Sequence, residues 1–293
     1  MPIVVVTDST AYLPASAESA GVTVVPLHVV MGGVSGREGI EIDPASVAKA
    51  LSPPPDKGKR VTVSTSQPTP GEFAAVYRKL FAAGAEGIVS VHLSAALSGT
   101  LTGAEAAAEA ADGPVAVVDS RSAGMGLGFV ALAAAAAAKK GKDLDGVRDA
   151  ALEAVANTST FFYVDTLEHL RRGGRITAVS ALLGTALAVK PLLEVVEGKI
   201  TLRDKVRTAG RALERLVALA EEAAGQGEVD VAVHHLAAPE RAAQLTQALE
   251  GRLSGRIRAF YTSEVGAVVA AHVGPGLAGV VVHRHPSQPA AAQ

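Results

Sequence analysis

The sequence has no cysteine and no tryptophan, and aromatic residues make up only 3% of its 293 positions. The absence of cysteine excludes disulfide bonds, thiolate catalysis and cysteine-ligated zinc sites, and it gives no sign of secretion. With 48% hydrophobic residues and so few aromatic ones, the core must consist mainly of Ala, Val and Leu. The formal net charge of -2 creates no overall field that would favour nucleic acid or an anionic membrane as a partner.

Long hydrophobic runs are also missing. The most apolar stretch, 126–138, is mostly Ala and is followed by Lys139 and Lys140, whereas a membrane-spanning helix needs about 20 strongly apolar residues. The first nine residues predict a strand and a turn, not the basic and apolar regions of a signal peptide. We therefore interpret 126–138 as a buried helix and expect a cytoplasmic location.

Short β-branched segments alternate with longer Ala-rich segments, which is typical of an α/β fold. Strands are predicted at 3–6, 22–30, 61–63, 88–93, 115–118, 161–164, 229–233, 257–261 and 279–283, and helices at 70–83, 103–111, 124–140, 144–157, 209–224 and 239–253. Because helices separate the strands, largely parallel sheets are expected. The length corresponds to about two domains. We predict an N-terminal α/β domain at 1–158, a C-terminal α/β domain at 159–285 and a flexible tail at 286–293.

Four of the predicted strands are followed by segments rich in Ser, Thr and Asp, at 7–10, 64–68, 94–100 and 119–120. Ligands of open α/β sheets collect beyond the carboxyl ends of the strands, where hydroxyls and free backbone N–H groups can bind an anion without a cation. The same residue types are the preferred helix N-caps, and a single segment is better explained as a cap. Four such segments at one edge, with Gly99 beside two hydroxyls, favour an anion site.

Motifs for catalysis, cofactors and metals are not found. The run 98–100 lacks the G-x-S-x-G pattern of hydrolases, and no spacing ties Asp8 and His92 to a serine, although a triad is recognised by geometry and not by spacing. No phosphate-binding loop is present, and the glycines of 124–128 have the wrong spacing for a dinucleotide site, so they indicate close helix packing. The eight histidines form no converging set with metal-ligand spacing. We expect no metal and no cofactor.

The second half carries a run of basic residues. Residues 165–215 contain ten Lys or Arg against six Asp or Glu. Such a run most often forms a solvated surface. The more specific interpretation is a docking patch for an acidic or phosphate-bearing partner. Within the run, Arg171 and Arg172 suit the C-terminal turn of a helix that ends at 173–174, where two glycines stop it.

A histidine lies near the end of a short predicted helix close to the C-terminus. His272 is followed by the small residues of 273–276. A histidine at this position can reach into a neighbouring site, and a buried core histidine is an equally good interpretation of these residues alone.

Together these segments resemble the DegV family of bacterial fatty-acid-binding proteins. The matching motifs, in family order, are T-D-S at 7–9, T-S-Q-P at 65–68, S-A-A-L-S-G-T at 94–100, V-D-S at 118–120, the segment 167–176, V-K-P at 189–191, K-V-R-T at 205–208, E-V-G at 264–266 and H-V-G-P-G at 272–276. The resemblance implies two α/β domains with a lipid tunnel between them that buries one long acyl chain, such as that of palmitate. One departure is Ala95, which replaces the second Ser of the family's S-S-x-L-S-G-T motif, so any ligand contact of that hydroxyl would be lost.

The resemblance also implies the residues of the site and the partners. The carboxylate would be bound by Thr65 and Ser94, with support from His272. The turn residues expected to support them are Ser66, Ser98, Gly99, Thr100, Asp8 and Ser9. The protein would be the non-catalytic lipid-binding subunit of a fatty acid kinase, whose separate ATP-binding subunit phosphorylates the carboxylate for phospholipid synthesis. We hypothesise that this subunit docks on Arg171, Arg172, Arg175, Arg203 and Arg207.

The physical chemistry of a long acyl chain agrees with this interpretation. Burying a C16 chain at about 0.8 kcal/mol per CH₂ contributes on the order of 10 kcal/mol before costs. The head group then needs only orientation, and transient membrane contact would allow lipid exchange. Two other functions stay open: a serine-dependent acyl hydrolase or acyltransferase, and a lipid-responsive sensor protein.

Overall fold

The computed structural model describes residues 2–14, 21–52, 61–176 and 189–285. The strands are β1 (Ile3–Asp8), β2 (Val22–Val25), β3 (His28–Met31), β4 (Val34–Arg37), β5 (Val63–Ser66), β6 (Gly87–His92), β7 (Val115–Asp119), β8 (Thr158–Tyr163), β9 (Lys190–Val196), β10 (Lys199–Val206), β11 (Val229–His235), β12 (Ile257–Glu264) and β13 (Ala278–Arg284). The helices are α1 (Pro44–Leu51), α2 (Pro70–Ala82), α3 (Thr100–Glu109), α4 (Met125–Lys139), α5 (Leu144–Ala156), α6 (Glu168–Arg172), α7 (Ala209–Ala224), α8 (Pro239–Arg252) and α9 (Ala267–Val273). The predicted tail at 286–293 lies outside the described residues.

The first sheet is parallel and has the strand order β2-β1-β6-β7. Successive side chains of a strand point to opposite faces. Val5 and Val89 pack into the core that contains α4 and α5 residues, whereas Val6 and Ile88 pack against α2 and α3. Helices therefore cover both faces of this sheet, which explains why its strands are apolar at successive positions.

The second sheet is mixed and has the order β10-β9-β8-β13-β11-β12. Its neighbouring strands are antiparallel except for the parallel pair β11 and β12. The predicted largely parallel pairing thus describes the first sheet, while the second differs for two reasons. A two-residue turn at Glu197 and Gly198 joins β9 to β10 as a hairpin, and β13 returns between β8 and β11 in the opposite direction.

A third, antiparallel sheet has the order β4-β3-β5. The single strand predicted at 22–30 is wrong, because it divides into β2 of the parallel sheet and β3 of this small sheet. The division falls at Pro26, which has no N–H to donate to a sheet ladder. The segment that carries Thr65 is also part of this sheet, as β5, and does not follow a strand of the parallel sheet as predicted.

Helix α4 lies between the two larger sheets. It contacts β1 and β6 on one side and β8 and β13 on the other. Ten of its 15 residues are buried, which confirms the buried helix predicted at 126–138. The predicted close packing of its glycines is also found, since a Cβ on Gly128 would lie 2.6 Å from the carbonyl oxygen of Ala11.

The six predicted helices are all found as α2 to α5, α7 and α8. Among the residues that the structure describes, no helix combines the length and apolar character needed to cross a membrane. The division into two domains near residue 158 stays a prediction.

Candidate functional site

A cavity of about 380 Å³ lies where α9, the six-stranded sheet and the segments after β5 and β6 meet. This volume falls within the range of about 300–1,000 Å³ that is usual for small-molecule sites. Most of its lining is apolar, with Phe161 and Phe162 from β8, Val280 and Val281 from β13, and Leu93 after β6 among the contributors. The cavity can therefore bury a long apolar group.

Helix α9 forms one wall of this cavity. Val265 lines the cavity just before the N-cap Gly266, and Val268, Val269, His272 and Val273 of the helix line it as well. The spacing of three or four residues among these four helical positions places them on one face of the helix. The histidine that the sequence places at the end of this helix consequently faces the cavity, together with three valines of the helix.

Polar side chains gather at the C-terminal end of α9. Thr65 Oγ1 lies 2.8 Å from His272 Nε2, although the two residues are 207 positions apart in the sequence. Ser66, Ser98 and Gly99 also line the cavity. Five of the residues predicted for the carboxylate site and its supporting turn are thus brought to one cavity.

The space beside the backbone of Gly99 is filled by a neighbouring side chain. The space where a Cβ on Gly99 would lie is occupied by the side-chain amide of Gln67. A protein side chain therefore approaches the Gly99 backbone closely, a contact that the sequence did not predict, and Gly99 also lines the cavity.

Arg175 lies at the same polar end. Its Nε donates to the carbonyl oxygen of Leu97 at 3.1 Å, and its Nη1 donates to that of Gly173. Burial lowers the pKa of the Arg175 guanidinium, which nevertheless stays charged because arginine is not deprotonated in proteins. The structure places this residue in the cavity lining, where it supplies a positive charge, and not on the docking surface on which it is predicted from the family resemblance.

His272 is neutral in this setting. Burial, and to a smaller extent the positive charge of Arg175, lower the pKa of His272 to about 4. Its Nδ1 is buried and has no hydrogen-bond partner among the described residues. At neutral pH the ring therefore acts as a hydrogen-bonding group and carries no charge.

Ser94 lies behind the cavity wall and does not line it. Its side chain is fully buried. The hydroxyl donates to the carbonyl oxygen of Gly198 at 2.8 Å and accepts from the N–H of Ala96 at 3.1 Å.

Ala95, the departure from the family motif, is exposed and also lies outside the lining. Thr100 is buried beside the site, where its Oγ1 lies 2.9 Å from Ser98 Oγ.

Asp8 has a local structural role. Its carboxylate accepts from the N–H of Thr10 at 3.1 Å and from that of Leu93 at 2.9 Å. This caps the short 3-10 turn at Ser9–Ala11, so the capping interpretation is confirmed for this segment. Asp8 and Ser9 line a second cavity of about 310 Å³. There Ser9 Oγ donates to the carboxylate of Glu38.

A serine, a histidine and an aspartate are connected in the core. Ser90 Oγ lies 2.7 Å from His92 Nε2, and His92 Nδ1 lies 3.1 Å from Asp8 Oδ2. The sequence does not tie a serine to His92 and Asp8, because the link passes from β6 to the end of β1. All three side chains are fully buried, and the hydroxyl of Tyr77 donates to Ser90. The arrangement has the order of a catalytic triad but no access for a substrate.

The remaining predicted arginines lie on α6 and along β10. Arg172 pairs with Glu168 one turn earlier. Arg203 lies 3.7 Å from Glu194 and 3.4 Å from Glu222. The other two are Arg171 at the end of α6 and Arg207 directly after β10. Ion pairs therefore neutralise part of the predicted basic patch.

Among the described residues, no group of three or more His, Asp or Glu could hold a metal ion.

Arg175 and Tyr12 are among the cavity residues that the sequence did not predict as ligand contacts. Arg175 belongs to a run of basic residues, and the sequence does not distinguish the exposed cations of this run from the buried ones. Tyr12 follows the hydroxyl segment 7–10, and nothing in its spacing indicates burial. The apolar pattern of 265, 268, 269 and 273 around His272 is a signal that could have identified the wall.

Comparisons with known proteins find matches over nearly the whole length of this chain. A family model described as "Uncharacterised protein, DegV family" matches residues 2–285. A DegV domain-containing protein of Streptomyces coelicolor is 53% identical over 96% of this chain and 98% of its own.

Two solved structures share the fold over 97% of this chain and 100% of theirs. A DegV family protein from Thermus thermophilus, reported as fatty acid binding, has a TM-score of 0.88 at 34% identity. DegV of Bacillus subtilis, reported as a fatty acid binding protein, has a TM-score of 0.86 at 34% identity. With its cavity, its motifs and these similarities, the chain belongs to the DegV family.

Proposed function

We propose that this protein binds one long-chain fatty acid without acting on it chemically. The acyl chain lies in the apolar cavity along α9, and the carboxylate lies at the polar end near Thr65, His272 and Arg175. The observation that supports this most directly is the cavity itself, which has apolar walls and a single charged side chain, Arg175, among the described residues that line it. The fatty acid binding reported for the Thermus and Bacillus proteins supports the same ligand class.

The pairing of Thr65 with His272 orients a donor towards the carboxylate. If Nε2 of His272 carries the proton, it donates to Thr65 Oγ1 and leaves the hydroxyl hydrogen of Thr65 free. The unpartnered Nδ1 favours this tautomer, because a buried N–H without an acceptor costs more than a buried lone pair. Thr65 then donates to the carboxylate, while the guanidinium of Arg175 offsets its charge.

Ser94 enters this proposal as a second hydroxyl donor. In the described structure its hydroxyl is bonded to the carbonyl oxygen of Gly198. It would bind the carboxylate only after leaving that partner, so binding of the head group is coupled to the tip of the β9–β10 hairpin.

The proposed role of the bound lipid is presentation to a fatty acid kinase. The carboxylate end, and not the methyl end, lies near the segments after β5 and β6, where an ATP-binding subunit could approach it. Arg171, Arg172, Arg203 and Arg207 are the proposed docking residues, with the acyl phosphate passing to phospholipid synthesis.

Native mass spectrometry of the purified protein tests fatty acid binding. We expect a bound mass that corresponds to a fatty acid, and at least tenfold weaker rebinding by Thr65→Val, because a buried carboxylate loses a donor. Thr246→Val, which changes a half-buried threonine on α8 outside the cavity lining, is the matched control. A lipid-free protein with no measurable fatty acid affinity would refute the proposal.

Reversal of two arginines tests the docking surface. The double variant Arg203→Glu and Arg207→Glu should lose most phosphorylation of the bound fatty acid by an ATP-binding subunit while it retains lipid binding. Arg148→Glu with Arg252→Glu, two exposed arginines on α5 and α8, controls for net charge. Unchanged phosphorylation in the first double variant would rule out this surface.

The acyl hydrolase alternative is tested through the buried Ser90. Its link to His92 and Asp8 is the geometry that would support hydrolysis, and the burial of all three side chains argues against it. We expect no acyl ester turnover. Turnover that disappears in Ser90→Ala, Ser94→Ala or Ser98→Ala would support the hydrolase instead.

A further inference from the structure

Helix α9 defines the direction of the cavity. His272 lies near its C-terminal end, beside Thr65, and Gly266 is its N-cap. His272 lies six positions after Gly266, which corresponds to about 9 Å along the helix axis. The polar end of the cavity is at His272, so a bound acyl chain that follows the valine-lined face of α9 runs towards Gly266.

Tyr12 lies at the Gly266 end. A Cβ on Gly266 would lie 2.6 Å from Tyr12 Cε1, so the ring packs directly against the start of α9. The ring also makes an edge-to-face contact with His234, with a centroid distance of 5.8 Å and an interplanar angle of 78°. Both aromatic rings line the cavity. They form its end wall.

This end wall is held in place from behind. His234 Nε2 accepts from the N–H of Met125 at 2.9 Å, and its Nδ1 lies 3.0 Å from Ser263 Oγ. Both ring nitrogens are therefore engaged, and burial lowers the pKa of His234 to about 4. The His234 ring is therefore neutral, so contact with the methyl end of an acyl chain would not bury a charge. Tyr12 itself follows the capped 3-10 turn, and its backbone is fixed in the left-handed region with a φ of 47°.

The second cavity lies on the other side of Tyr12. This residue lines both the lipid cavity and the cavity of about 310 Å³, whose lining includes the apolar residues Ala11, Leu13 and Val22 and also the polar residues Asp8, Ser9 and Glu38. Tyr12 therefore lies between two spaces of about 380 and 310 Å³ and acts as the partition between them. Burial raises the pKa of the Tyr12 phenol well above its usual value, so the partition carries no charge.

We propose that Tyr12 is the residue that limits the length of the acyl chain. This inference rests on the proposed function, because it assigns a specificity determinant to the same cavity. The volume of the ring, and not its hydroxyl, sets the limit. Removal of the ring joins the two cavities and allows the methyl end of a longer fatty acid to pass the start of α9.

Competition between fatty acids of different length tests the proposal. Wild type, Tyr12→Phe, Tyr12→Leu and Tyr12→Ala are each equilibrated with an equimolar mixture of saturated fatty acids, and the bound species are identified by native mass spectrometry. For Tyr12→Ala we expect the preferred length to increase by two or more carbons, with about a tenfold gain for the longer chain over the wild-type optimum, since each buried CH₂ contributes about fourfold in affinity. Tyr12→Leu should give a smaller shift in the same direction.

Two controls separate this role from a general effect on the fold. Tyr12→Phe keeps the ring and should retain the wild-type length profile. Val268→Ala enlarges the side wall on α9 and should weaken binding without moving the preferred length. If Tyr12→Ala does not fold, Tyr12→Leu carries the test. A folded, lipid-binding Leu or Ala variant with the wild-type length profile overturns the inference, whereas a wild-type protein that binds no fatty acid refutes the proposed function.

Discussion

At the scale of single residues, the hydroxyl of Ser94 lies beneath the tip of the β9–β10 hairpin. The tip consists of Glu197 and Gly198, both with positive φ, as a two-residue type I′ turn requires. Glu197 forms an ion pair with Arg121, and Gly198 accepts from Ser94. A Cβ on Gly198 would overlap the Ser94 hydroxyl. Glycine is therefore favoured at position 198 both by the positive φ and by the close contact with Ser94.

We predict that Gly198→Ala destabilises the protein more than Gly33→Ala does. Gly33 also has positive φ, but a Cβ there would meet nothing within 4 Å. Its substitution isolates the backbone strain of about 1 kcal/mol, and Gly198→Ala adds displacement of Ser94 or of the hairpin. Urea denaturation of both variants measures the difference. Equal losses of unfolding free energy would show that the hairpin tip does not press on Ser94.

The residues of the site differ in how far the sequence could predict them. Thr65 and His272 belong to motifs with family-like spacing, and the structure brings their side chains to 2.8 Å. The positions of Tyr12 and Arg175 in the cavity lining could not be predicted, because they depend on which side of a local turn faces the cavity. Nor could the sequence show that Ser94 is bonded to Gly198, since the contact joins segments 104 positions apart.

At the scale of elements, α9 receives its N-terminal cap from a distant part of the chain. Its own N-cap, Gly266, provides no side-chain acceptor. Instead the buried carboxylate of Glu38 accepts from the N–H of Val268 at 2.8 Å and from the hydroxyl of Ser9. Burial raises the pKa of Glu38 above its usual range. The loop after β4 therefore fixes the helix that forms the cavity wall.

We predict that Glu38→Ala lowers the free energy of unfolding by about 1–3 kcal/mol, as expected for buried donors left without an acceptor. It should also weaken fatty acid binding, because α9 carries His272 and the valines of the wall. Glu41→Ala, which removes an exposed carboxylate from the same loop, is the matched control for charge. If Glu38→Ala loses stability but binds fatty acid as wild type does, α9 does not depend on this cap for its position.

The elements show why some segments are easier to predict than others. Helix α2 begins with a capping box formed by Thr69 and Glu72, and Pro70 occupies its first turn, so local signals define it fully. Strand β10 has exposed positions among buried and half-buried ones and contains three basic residues, so its sequence indicates only a charged run. The two-residue turn at 197–198, between the apolar ends of β9 and β10, was the available signal for this hairpin.

At the scale of the whole molecule, α4 makes the two larger sheets parts of one packed core. Leu127 and Val130 belong to the same hydrophobic cluster as residues of the parallel sheet and of β8 and β9, such as Val89 and Leu193. Met125 and Phe129 pack against Ala232 and Val281 of the mixed sheet. The cavity along α9 lies within this shared core, so its shape depends on both sheets. Binding of the proposed ligand is therefore expected to stabilise the whole chain and not one half.

Three buried histidines make the whole molecule sensitive to acid. Burial lowers the pKa of His234, His272 and His283 to about 4, whereas a histidine in the unfolded chain has a pKa of about 6.5. Below this value the unfolded state binds protons that the folded state does not. The stabilising contribution is therefore complete above about pH 6.5 and is lost progressively as the pH falls towards 4. The raised pKa of Glu38 acts in the opposite direction, because its folded form takes up a proton first.

We predict that the free energy of unfolding is nearly constant between about pH 7 and 8 and falls by about 2 kcal/mol or more at pH 5, since one unit of pKa shift corresponds to about 1.4 kcal/mol. Urea denaturation at each pH measures this. His283→Gln removes one of the three groups, at a position where the ring stacks on Phe129 away from the cavity lining, and should reduce the slope of stability against pH. The same slope in wild type and variant would exclude His283 as a contributor, and equal stability at pH 5 and pH 7.5 would contradict the linkage for all three histidines.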